Sequence, residues 1–163
     1  MKPLLYTFLT VLCVLIFSCK ETNTNTNPGN DATKKILTKE DSAYNEALHI
    51  HDQVMPQMGK LIGYQKKARQ RADSISRFLK NADITEQAAK SVTMERESLN
   101  HLIFELKMAE KEMNDWMQGF TAEPKLPTTE ERTAYFEDQK VRALKMKDQF
   151  FAALNKAKEM LGE

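Results

Sequence analysis

Two kinds of side chain in this sequence could do chemistry together. His51, Met55 and Met58 stand at i, i+4 and i+7, so a helix places all three on one face. Met113 and Met117 stand at i, i+4 further along. Thioether sulfur and imidazole are soft ligands suited to Cu(I), so these five residues are a candidate copper site. The competing reading is packing, because methionine is a flexible filler of irregular cores. Other chemistry finds less footing. The three histidines are His49, His51 and His101, and His49 and His51 point to different sides of a helix. There is no His-Glu-x-x-His motif and no cysteine pair. Glu95, Glu97, Glu105, Glu110 and Glu112 read as an ordinary solvated surface. No catalytic residue and no cofactor other than copper is expected, and the chain reads as a non-enzyme.

The elements that would position these residues follow from periodicity. From Thr38 onward the pattern is helical, and Thr38 with Asp41 is an N-cap followed by an acidic first turn. Ala47, Val54, Met58, Leu61, Ala68 and Ala72 recur at spacings of three, four and seven, with Met55, Ile62 and Phe78 beside them. Pro56 lies inside this run and predicts a kink near residues 52–56. Gly59 and Gly63 either weaken the helix there or admit a close neighbour. Asn81-Ala82-Asp83 ends the first helix. A second starts near Thr85, carries Leu99, Leu102, Leu106, Met113 and Trp116, and stops at Gly119. A third begins at Thr128, three residues before Glu131, with Tyr135, Phe136, Val141, Leu144, Phe150 and Leu154 on its expected apolar face.

Three long helices with short connections predict an all-α fold, an elongated up-down-up three-helix bundle with a kinked first helix. A dimeric coiled coil is the alternative, and interruptions at Ala, Gln65 and Pro56 favour the single-chain bundle, hence a monomer. Folding back near residues 82 and 83 would bring Met113 and Met117 level with His51. The four methionines Met55, Met58, Met113 and Met117 would then fill the space around the kink, with Trp116 covering it.

The start of the chain is of another kind. Lys2 and the apolar run from Leu4 to Phe17 read as a secretory signal. The stretch Leu15-Ile16-Phe17-Ser18-Cys19 resembles the lipobox of bacterial lipoproteins, with Ile16 and Phe17 matching its looser form in Bacteroidota. That resemblance implies cleavage before Cys19 and acylation of it, palmitate included. Two or more acyl chains anchor firmly where one does so only marginally. Residues 1–18 would be the signal and residues 19–37 a lipidated, flexible tether rich in Thr and Asn, leaving 38–163 as the bundle domain. Lys20-Glu21 weakly resembles the sorting signal for the outer face of the outer membrane. Lys2 leaves with the signal, so 24 basic residues become 23, against 23 acidic ones. A neutral chain argues against nucleic acid as a partner.

The strings from His51 to Gly59 and from Asp115 to Phe120 are similar to two stretches of a family of short Bacteroidota envelope lipoproteins, often mislabelled as homologues of a viral A-type inclusion protein. The resemblance covers about residues 44–160. It implies a helical fold and a place in the cell envelope; the tethered bundle is expected to face the periplasm or the surface and to bind an unidentified envelope protein or the cell-wall layer. The resemblance implies no substrate and no catalytic residue.

Overall fold

The structure is a computed structural model that describes residues 37–162. The signal, Cys19 and nearly all of the tether lie outside the described residues. Thr38 caps the first helix, α1 (Lys39–Val54): its Oγ accepts from the Asp41 amide at 3.0 Å, and its own amide donates to the Asp41 carboxylate at 3.2 Å. Pro56 has no N–H to donate back along the helix, and the backbone tightens there into a 3-10 turn, Met55–Gln57. Beyond it α2 (Met58–Asn81) continues the rod. Thr85 caps α3 (Glu86–Gly119), and Thr128 with Glu131 forms a second capping box at the start of α4 (Thr129–Leu161). Gly162, at φ 72°, ends α4 in the left-handed conformation that glycine adopts without strain.

The result is an all-α, three-helix bundle whose first helix is compound and kinked. Its buried positions keep one rhythm. Along α4, Phe136, Gln139, Ala143, Met146, Phe150, Ala153 and Ala157 alternate steps of three and four. Leu99 to Trp116 does the same on α3. An average step of 3.5 keeps a narrow seam facing its neighbours along the whole length of a helix. The first rod holds this phase through its joint, since Val54 and Leu61, seven apart, are both fully buried.

The joint also changes the rod's neighbour. α1 packs chiefly on α4, whereas α2 packs chiefly on α3. Arg132 fixes the first contact, donating to Glu40 at 2.9 Å and to the Leu126 carbonyl at 3.4 Å. Lys140 reaches both Glu137 at 2.5 Å and Glu46 at 3.3 Å. The hydrogen bond to Glu137, then the one to Glu46, holds the Lys140 ammonium above the ordinary lysine range. The Ser42 hydroxyl and then Lys140 hold the Glu46 carboxyl below its ordinary range. On the α2 side, Gln65 donates to Glu110 at 2.7 Å and Arg71 meets Glu95 at 2.5 Å.

Several expected core positions are corrected. Val141 (61% exposed), Leu144, Ile62 and Phe78 face outward. The seam belongs instead to Ile50, Tyr64, Ala143, Met146 and Gln139, because 3.5-residue steps, rather than side-chain size, decide what faces inward. Gly59 and Gly63 admit no close neighbour, since a Cβ at either would meet nothing within 4 Å.

Candidate functional site

The antiparallel return brings the end of α3 to the expected level of α1, and across that distance His51 meets Trp116. Their rings stack at 5.4 Å, and the His51 Nδ1 lies 3.0 Å from the Asp52 carboxylate. Trp116 stacks in turn on Phe120 at 4.8 Å, and Phe120 on Tyr44 at 5.9 Å, while Tyr44 meets Phe136 edge-on at 5.2 Å. The buried indole N–H donates to the Gln139 carbonyl at 3.2 Å. Tyr135 closes this end: its hydroxyl accepts from the Thr121 amide at 2.8 Å and donates to the Gly119 carbonyl at 3.3 Å. That carbonyl, at the last turn of α3, has no partner within its own helix. The layer is thus an aromatic stack that locks α1, α3 and α4 together.

The five proposed soft ligands divide. Met113 is fully buried in the main core and Met58 packs against that same cluster. His51 belongs to the aromatic stack. Met55 and Met117 are 40% and 37% exposed, so the expectation that four methionines fill the kink is corrected for these two. Each directly follows a seam residue, Val54 or Trp116, and is therefore turned about 100° away from the core. Among the described residues no three His, Cys, Asp or Glu stand together as a metal-binding group.

A second feature runs along α3 where it meets α4. Between α3 and α4 lies a hollow of about 300 Å³ with Phe104, Met108, Ala109, Ala152 and Ala153 in its walls. Toward residue 94 it adjoins a second hollow lined by Met94, His101 and Met160, the two sharing Lys156. Toward residue 119 it adjoins a third, at Trp116, Gln139 and Met146, through the shared Glu112. The three make one open groove along the pair of helices. Ala109 and Ala153 lie buried at its base, and exposed Phe104 (61%) and Met94 (60%) stand at its edge. At mid-groove, Lys156 is 2.6 Å from Glu105, and His101 lies 3.3 Å from the same carboxylate.

No protein family, curated protein or solved structure matches this chain.

What the groove can do follows from its chemistry. Exposed aromatic and thioether side chains in line along α3, beside a groove, are adhesive toward another apolar face, and the charges at the rim set its orientation. The sequence reading passed over this feature. Its signal was Met94, His101, Phe104 and Met108, a second stripe at steps of seven, three and four beside the buried seam. Among the described residues, no helix is long and apolar enough to cross a membrane.

Proposed function

We propose that this protein is a non-enzymatic lipoprotein of the bacterial cell envelope, anchored in the outer membrane through lipid on Cys19, whose helical bundle binds a protein partner along the α3–α4 groove. The observation that carries the reading is that Met94, Phe104 and Met108, unlike the other exposed apolar side chains such as Val141, Ile62 and Phe78, line hollows between α3 and α4. Full burial of such a side chain is worth roughly 1.5–3 kcal/mol, and a docked partner recovers the share that belongs to the surface still in water, about half for each. The lipobox-like stretch ending at Ser18-Cys19, and the likeness of residues 51–59 and 115–120 to short envelope lipoproteins, support the anchor and the location. The test is replacement of Cys19 by Ala in the full chain. Incorporation of labelled palmitate should cease and the chain should leave the membrane fraction. Unchanged labelling contradicts the anchor.

A further inference from the structure

The residues lining the groove's two walls differ in sign of charge, and one pair, Glu105 with Lys156, already bridges the walls within the chain. The α3 wall presents Glu97, Glu105, Glu112 and Asp115. The α4 wall presents Arg142, Lys145 and Lys156, and no acidic residue lines the groove from that helix. A surface divided lengthwise into an acidic and a basic half is complementary to itself under one kind of two-fold rotation. With the axis parallel to the groove, the α3 of one copy lies over the α4 of the other, acid over base, twice. With the axis across the groove, α3 would lie over α3 and acid would face acid. We propose that the occupant of the groove is a second copy of this chain, docked groove to groove about a two-fold axis parallel to the bundle. This deepens the reading of the groove as a docking surface, rests on it, and departs from the monomer that the sequence led us to expect.

Three further points agree. A two-fold axis along the groove leaves every residue at its own level, so Glu112 and Asp115 of one copy face Arg142 and Lys145 of the other, with Asp115 also paired to Lys111 and Arg142 to Asp138 on their own helices. The Phe104 ring of each copy would meet the apolar floor of its mate and bury the most exposed part of the groove. The same axis directs both copies of α1 toward the same end, so two lipid-bearing tethers would reach one membrane, where confinement raises the effective concentration for pairing. From Met94 to Gly119 the groove runs about 38 Å at 1.5 Å per residue, across two helices each about 10 Å wide. That footprint sets a ceiling on the order of 800 Å² per copy, which reaches the size of a standard specific interface when the flanking faces of both helices are covered along with the groove.

The experiment is sedimentation equilibrium of the full chain in density-matched detergent, which reads one protein chain or two per particle. The parent should sediment as two chains. Phe104→Glu should sediment as one with its helical circular dichroism unchanged, because the side chain it replaces is mostly in solvent. Glu112→Lys/Asp115→Lys should also be single, as should Arg142→Glu/Lys145→Glu, since each turns an attractive wall pair repulsive. An equal mixture of the last two should restore the two-chain particle, because acid again faces base in both wall pairs. A single-chain parent overturns the proposal. So do charge variants that remain paired alone, or a mixture that stays single. Palmitate labelling at Cys19 reads the anchor independently, so a failed dimer with a labelled chain refutes this pairing and leaves the envelope anchor standing.

Discussion

Met113 and Met117 are one helical turn apart on α3, and their fates should differ sharply. Met113 is fully buried between Leu106, Ala109 and the facing helices, whereas Met117 is 37% exposed. Truncating Met113 to Ala removes about three methylene equivalents, worth roughly 0.8 kcal/mol each in transfer free energy. A remaining void on the order of 50 Å³ adds about 1.2 kcal/mol at roughly 24 cal/mol per Å³. The total is about 3.5 kcal/mol. A domain of about 125 residues has an unfolding entropy near 0.26 kcal/mol/K, so the midpoint should fall by about 13 °C. Met117→Ala loses a smaller buried area and leaves no enclosed void, so its cost should be about 1 kcal/mol, or about 4 °C. Thermal melts followed by circular dichroism measure both. Repeating them with Cu(I) under reducing conditions tests the copper alternative, because a ligand that binds only the native state raises its midpoint. Equal losses for the two alanine variants would refute the packing argument. So would a Cu(I)-dependent rise of many degrees in the parent that Met117→Leu abolishes.

Other expectations are more local. Gly63→Ala should stabilise the bundle by up to about 1 kcal/mol in a denaturant titration, since a Cβ there meets nothing and alanine is the better helix former. Glu46 has a folded-state carboxyl held below its ordinary range by Ser42 and Lys140, so its contribution is present above the ordinary carboxylate range and lost as pH falls through the depressed value. Chemical denaturation between about pH 6 and about pH 3 should therefore show a smaller acid loss in Glu46→Gln than in the parent, reading the α1–α4 contact. Tyr135→Phe strips the Gly119 carbonyl and the Thr121 amide of their shared hydroxyl, and should cost about 1 kcal/mol with local hydrogen exchange rising first in the 119–127 turn.

Helix ends were the most legible part of the sequence. Thr38 with Asp41 and Thr128 with Glu131 are capping boxes, a chemistry fixed within four residues, and the structure forms both. Pro56 was equally local, and its missing donor gives the 3-10 joint. Facing was harder to read. Val141 and Leu144 look like core by composition and lie in solvent, while Gln139 and Ala143 lie inside, because the 3.5-residue seam is a property of three helices together. The same limit applied to the candidate site. His51 and Trp116 do come level, as a turn near residue 82 requires, but level is not facing, and Met55 and Met117 sit one step past the seam. The groove was the least legible of all. Phe104 follows Ile103 directly and registers as one more apolar residue until α4 lies beside it and its own side remains open.

We propose that the α3–α4 groove is the working surface of a membrane-anchored bundle. A photo-crosslinking residue placed at position 104 of the full chain, in living cells, tests it most directly when compared with the same residue at position 141. Both sites are 61% exposed, and only the first lines the groove. Strong capture of a second copy of the chain from position 104, with little from position 141, is the predicted result. Capture from position 104 no stronger than from position 141 would contradict the account.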